Sequence, residues 1–276
     1  MKKLAIIGAG SMAEALIVGL IKNNLINNHQ VYVTNNSNQK RLTELQKKYG
    51  VIVTYDPHLL LNEADIIVLA VKPKDAENAI IKIKHLLTSK MLIISLLAGV
   101  LMETIENISE KKLSIVRAMP NTSAAIGRSA TAIAFNSEVT ATQKSKVKII
   151  FDTLGITRFV EEKQLDAVTG LSGSGPAYIY YLAEAMEKSA VEIGLDRDLA
   201  KELIVQTLLG AAEMLTKTTK TTQELRKAVT SPGGTTEAGI KILSSYNVQR
   251  AFIECIKEAT AQSERLGHGI RKNDLL

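Results

Sequence analysis

Along the first half of the chain, short runs of β-branched and aliphatic residues alternate with stretches in which apolar positions recur every three or four residues. The runs predict strands at Leu4–Ile7, Val31–Thr34, Ile66–Val71, Met91–Ser95, Ser114–Ala118, Thr131–Phe135 and Thr157–Val160. The stretches between the early strands predict helices such as Met12–Lys22 and Asn38–Lys48. Strands that are apolar throughout, rather than alternating, belong to a parallel sheet covered by helices on both faces. From about Lys163 the strand signals stop, and the rest reads as helix punctuated by Gly, Pro and Thr turns. Helices are expected over Pro176–Ile193, with Pro176 at the first turn and Gly194 ending it, and over Leu199–Lys217, Thr235–Ser244 and Val248–Leu266. The pattern predicts an α/β domain over residues 1–162 with a doubly wound parallel sheet, then an all-α domain over residues 163–276. Small residues on its helices, as in Leu208-Leu209-Gly210-Ala211-Ala212, favour a bundle shared between subunits.

A length of 276 residues suits two domains, each with its own core. The formal charge of +6 is spread over 34 scattered basic residues with no aromatic interleaving, so it describes a solvated surface and nucleic acid is not an expected partner. The single cysteine, Cys255, lies in a helical pattern and is expected to be a buried, inert thiol. Met1–Glu14 superficially imitates a charged-then-apolar leader, but its short apolar run is broken by glycines and reads as a first strand. No stretch approaches the roughly 20 apolar residues that cross a bilayer. A cytoplasmic protein without a membrane partner is expected.

The strand–turn–helix segment ending in Gly8-Ala9-Gly10-Ser11-Met12-Ala13 matches the dinucleotide fingerprint in its proper context, which makes the fold Rossmann-type. Gly8 permits the tight turn, Gly10 lets backbone approach a pyrophosphate, and Ala13 lets helix and strand pack closely. The second strand runs into Asn35-Asn36-Ser37 with no carboxylate to repel a 2′-phosphate, and Lys40 or Arg41 adds charge if the loop folds toward the ribose. NADP is therefore favoured, although the same polar residues also suit the cap of the next helix. After the strand at Ile66, Ala70-Val71-Lys72-Pro73 lies where ligands bind outside the carboxyl ends of strands, making Lys72 a candidate cofactor contact.

Hydride transfer requires a positioned nicotinamide and no obligatory catalytic side chain. His29, His58, His85 and His268 show neither metal-ligand spacing nor a carboxylate partner, no metal site is indicated, and no nucleophile elbow supports hydrolysis. The turn Ser231-Pro232-Gly233-Gly234-Thr235-Thr236 feeds a helix, presenting amides and hydroxyls that suit a carboxylate as well as an ordinary helix cap. A second turn, Gly170-Leu171-Ser172-Gly173-Ser174-Gly175, reads equally as a hinge or a binding element.

Taken in order, Gly8–Ala13, Ala70–Pro73, Ala98-Gly99-Val100, Arg117–Thr122, Ser172–Tyr178 and Ser231–Thr236 resemble the segments of pyrroline-5-carboxylate reductases over nearly the whole chain. The resemblance implies reduction of 1-pyrroline-5-carboxylate to L-proline, the last step of proline biosynthesis, with NADPH preferred and NADH admitted. It also implies an interlocked homodimer through the helical domain, able to build larger rings. Residue by residue, it assigns Gly8–Ala13 to the pyrophosphate, Asn35, Asn36 and Ser37 to the adenosine ribose, and Ala70, Val71, Lys72 and Pro73 to the nicotinamide-side ribose. Met119, Pro120 and Asn121 line the nicotinamide pocket. Ser231, Gly233, Gly234 and Thr235 cradle the substrate carboxylate, and the Thr236 hydroxyl, near the ring nitrogen, is the catalytic candidate. Many relatives carry Arg where this chain has Asn36, which weakens the implied grip on a 2′-phosphate. Two rivals remain. A 3-hydroxyacid dehydrogenase of similar architecture needs an early lysine on the long helix, whose first lysine here is Lys188; a nucleotide-sensing protein would not need an intact Ser231–Thr236 turn.

Overall fold

The computed structural model describes residues 2–271. Its strands are β1 Leu4–Ile7, β2 Val31–Thr34, β3 Ile52–Val53, β4 Ile66–Leu69, β5 Leu92–Ser95, β6 Ser114–Met119, β7 Ser129–Phe135 and β8 Gly155–Phe159. They form one sheet in the order β3-β2-β1-β4-β5-β6-β7-β8. Strands β1 to β6 run parallel, which gives the doubly wound 3-2-1-4-5-6 order with its switch point between β1 and β4.

The expectation of parallel pairing fails at one place: β7 runs antiparallel to β6, with Ala118 opposite Ile133. Only the short segment 120–128 joins them, too little chain for a crossover, so the strand must turn back. Helix α6 then provides a full crossover, and β8 lies parallel to β7. The two-residue β3 is too short to stand out as an apolar run, and it went unpredicted.

Helices α1 Ser11–Lys22, α2 Gln39–Tyr49 and α6 Ala141–Asp152 cover one face of the sheet. Helices α3 Pro57–Leu61, α4 Ala76–Ile83, α5 Met102–Ser109 and α7 Leu165–Val168 cover the other. Alternation along β1 serves both layers, with Leu4 and Ile6 packing under α1 and Ala5 and Ile7 toward α4. Each fully buried aliphatic side chain here contributes roughly 1.5–3 kcal/mol. The next helices are α8 Gly175–Glu192, α9 Arg197–Lys217, α10 Thr222–Ala228, α11 Thr235–Ser245 and α12 Val248–Arg271.

By compactness the chain divides into residues 1–176 with 257–276, and residues 177–256. Strand content ends at Phe159, close to the expected change at residue 163. The segment that follows nevertheless packs with the sheet, because Leu165 is buried in the same apolar layer as Ile115 and Met119. In the unit 177–256 the buried apolar side chains are few, among them Ala190, Ala200 and Ile204. Cys255 on α12 is exposed, which corrects the expectation of a buried thiol. The stretch of α12 around it, from Glu254 to Cys255, is exposed in the isolated chain.

Candidate active site

The turn between β1 and α1 is set by Gly8. Its φ of 115° lies in the region that favours glycine, and a Cβ there would overlap the Ala70 carbonyl. Backbone bonds hold the turn between its neighbours: the Gly8 amide donates to the Thr34 carbonyl at 2.9 Å and the Ala70 amide to the Ile7 carbonyl at 2.8 Å. Two predicted cofactor segments, Gly8–Ala13 and Ala70–Pro73, are thereby brought together at the switch point. Gly10 is the N-cap of α1, no side chain caps that end, and no atom stands within 4 Å of where its Cβ would be. The open space and uncapped amides fit a pyrophosphate. Ala13 is completely buried against the sheet.

Below this turn, Glu14 locks α1 to α2. Its carboxylate accepts from Arg41 Nη2 at 2.5 Å, Tyr49 Oη at 2.6 Å and Lys48 Nζ at 3.0 Å. Hydrogen bonds from Arg41 and then Tyr49 hold its pKa down at about 2, burial opposing them. Arg41 Nε also donates to the Ala9 carbonyl at 2.9 Å. The guanidinium is thus spent on the glycine turn and on Glu14, and it is not the free cation that the sequence offered for the ribose loop.

In that loop the Asn35 side chain bonds to both backbone groups of Asn38 and accepts from Tyr55 Oη at 3.1 Å, while Asn38 caps α2. Asn35 therefore shapes the loop, leaving Asn36 and Ser37 exposed. Lys72 is exposed at the start of the short turn Pro73–Asp75, with Val71 and Pro73 half-buried beside it.

Met119 and Asn121, each 8% exposed, and buried Pro120 follow β6. Asn121 accepts from the Ser123 amide at 3.1 Å and donates to the Ser172 carbonyl at 3.0 Å. This joins the predicted nicotinamide pocket to the glycine-rich turn, which forms a single π-turn over Thr169–Gly173, with the Ser174 amide bonded to the Thr169 carbonyl at 2.8 Å. Such π-turns concentrate at functional sites. A Cβ at Gly173 would touch the Met119 side chain at 3.6 Å, so the small residues of this turn let it sit against the pocket wall.

Beside it lies a buried charged group that sequence reasoning missed. Arg117, 2% exposed, donates from Nη1 to Glu162 Oε1 at 3.0 Å, and Glu162 also accepts from the Met102 amide. Arg117 Nη2 stands 4.0 Å from Asp166 Oδ1 and makes no hydrogen bond, while Ser263 Oγ donates to the same carboxylate oxygen at 2.6 Å. Gly99, with φ of 76°, and Gly267 are in backbone contact, where a Cβ on either would overlap the other's backbone. The Ala98-Gly99-Val100 motif is thus a docking point for α12.

In the other compact unit, the Ser231–Thr236 turn leads into α11. Gly233 has φ of 74°, and its amide donates to Glu237 Oε2 at 2.9 Å; the Gly234 amide donates to the Ser231 carbonyl at 3.0 Å. The two glycine amides are therefore bonded within the turn, and Glu237 is itself held by Lys241 at 3.2 Å. What remains presented is the start of α11, which has no side-chain cap, and the exposed residues Ser231, Thr235 and Thr236. Glu237 in the first helical turn was the available sequence signal for this internal bond. Among the described residues no cluster of His, Cys, Asp and Glu could hold a metal, and no helix is long and apolar enough to cross a membrane.

Comparison with known proteins agrees with these features. Residues 162–266 match the family model for pyrroline-5-carboxylate reductase dimerisation, and residues 3–99 match that for the coenzyme F420-dependent NADP oxidoreductases. Pyrroline-5-carboxylate reductase 2 of Bacillus subtilis is 45% identical over 266 residues, covering 96% of this chain and 95% of that one. A crystal structure of Plasmodium falciparum pyrroline carboxylate reductase with NADP bound superposes with a TM-score of 0.89 at 31% identity, over 96% of this chain and 98% of that one. The pyrroline-5-carboxylate reductase of Coxiella burnetii gives 0.83 at 39% identity, with the same coverage. With its doubly wound sheet, its glycine turn at the switch point and its Ser231–Thr236 turn, this chain belongs to the pyrroline-5-carboxylate reductase family of oxidoreductases.

Proposed function

We propose that the chain reduces 1-pyrroline-5-carboxylate to L-proline, the last step of proline biosynthesis, with NADPH as the preferred reductant and NADH also accepted. The observation that carries this reading is the Ser231–Thr236 turn, whose uncapped helix start and three hydroxyls match a small carboxylate beside a ring nitrogen. A residue 1–162 domain serves the dinucleotide, and a residue 163–276 domain serves substrate and dimerisation. Gly8, Ala9, Gly10, Ser11, Met12 and Ala13 hold the pyrophosphate, and Asn35, Asn36 and Ser37 the adenosine ribose. Ala70, Val71, Lys72 and Pro73 hold the second ribose, while Met119, Pro120 and Asn121 wall the nicotinamide.

The bound dihydronicotinamide supplies the hydride. The amides and hydroxyls of Thr235 and Thr236, with Ser231, hold the substrate carboxylate, and Gly233 and Gly234 give the turn its shape. The Thr236 hydroxyl orients the ring nitrogen and passes it a proton from water, so that the C=N carbon becomes the electrophile and gains hydride while nitrogen gains the proton. The working form is a cytoplasmic homodimer, with dimers able to assemble into rings. The test is substrate-dependent loss of NADPH or NADH absorbance by purified protein, with proline identified chromatographically. Proline formed in step with cofactor oxidation supports the reading; folded protein that binds nucleotide and makes none overturns it.

A further inference from the structure

The loop after β2 presents the exposed Asn36 and Ser37, and the nearby Arg41 is consumed by Glu14 and the Ala9 carbonyl. A cation does reach this loop, from a distant element: Lys82, in the last turn of α4, donates from Nζ to Asn36 Oδ1 at 3.3 Å. We propose that Lys82 is the residue that recognises the 2′-phosphate of the dinucleotide, reaching the ribose loop from α4. The inference rests on the reading of Gly8–Ala13 and Asn35–Ser37 as the dinucleotide site.

Three observations support it. Among the described residues Lys82 forms no ion pair, so its charge is uncommitted, and its ammonium is hydrogen-bonded to the ribose loop itself. The segment Asn35–Gln39 contains no carboxylate to neutralise the ammonium or repel a phosphate. The partner it does have is a neutral amide in solvent, a weak interaction that a dianion at the same loop would exceed through a charge-assisted hydrogen bond. Asn36 then sets the direction of the ammonium and offers its own Nδ2 as a further donor. Both side chains are exposed, so the pair is poised at the surface rather than built into the core.

The experiment compares two probes that differ only in the 2′-phosphate, 2′,5′-ADP and 5′-AMP, titrated calorimetrically into the wild-type protein and the Lys82→Gln, Lys82→Arg and Lys40→Gln variants. Lys82→Gln is expected to weaken 2′,5′-ADP about tenfold, the scale of one charge-assisted bond at an exposed site. It should leave 5′-AMP unchanged and flatten the salt dependence of 2′,5′-ADP binding. Lys82→Arg should retain most of the preference, and Lys40→Gln should retain it fully. If wild-type protein prefers 2′,5′-ADP and Lys82→Gln preserves that preference, or loses both probes equally, Lys82 is not the recognising residue. If wild-type protein binds both probes alike, the NADP reading of the loop falls, and Lys82 with it.

Discussion

Thr236 is exposed in the first turn of α11, where it contributes little to packing. Its proposed work is on the substrate nitrogen, so Thr236→Ala should lower kcat by about 100-fold, the lower end of the roughly 10²–10⁴-fold that a positioned proton-transfer group contributes. The circular dichroism spectrum and Tm should stay those of the wild type, and Thr236→Ser should recover most of the rate. An unchanged kcat removes the hydroxyl from the mechanism. Arg41 shows how far residue type alone can mislead. A basic residue six positions beyond Asn35 looks available to a phosphate, yet folding places a carboxylate 27 residues away at the right distance to claim it.

Between elements, the same contact becomes a pH-dependent fastener of α1 to α2. Glu14 titrates at about 2 in the folded protein against an ordinary value of 4.5. A depressed carboxylate contributes its stability above the unfolded pKa and loses it as pH falls through the folded one. Glu14→Gln should therefore cost about 1–2 kcal/mol near neutral pH, after discounting for partial exposure. The gap between variant and wild type should close between pH 4.5 and about 2, as read by urea titration at several pH values. The Arg117 group fastens β6 to α7, and Asp166 carries the connection to Ser263 on α12. Replacing Arg117 by Met leaves Glu162 and Asp166 without their buried cation, a loss of about 3 kcal/mol. The double variant Arg117→Met with Glu162→Gln should be more stable than the single one, measured by chemical denaturation.

For the whole molecule, the helical unit explains the dimerisation match. In the isolated chain its large apolar side chains are uncovered: Tyr181 is 75% exposed, Leu209 56% and Met214 54%. A monomer with few buried residues in this unit lacks an adequate core of its own, and a second copy supplies the missing surface. Leu209→Glu combined with Met214→Glu should shift sedimentation from dimer toward monomer and make Tm fall with dilution. Wild-type sedimentation and a Tm independent of concentration would place the dimer contact elsewhere.

Much of this was readable from order along the chain. Continuous apolar runs announced buried parallel strands, and β1 and β2 fall where those runs lie. The glycine fingerprint announced the turn at Gly8, because a tight turn against a neighbouring carbonyl leaves no room for a side chain. The helices of the second half were likewise signalled by their periodicity, with Pro176 and Gly194 near their expected ends. Local pattern controls such features because each depends on residues within a few positions of one another. Pairings across the fold had no such signature. Arg41 with Glu14, Lys82 with Asn36 and Arg117 with Glu162 are separated by 27, 46 and 45 residues. The reversal of β7 likewise depends on how chain length is used once the elements have packed. Sequence order determined the elements and the family, while tertiary structure decided which charges are spent inside the fold and which are left for a ligand.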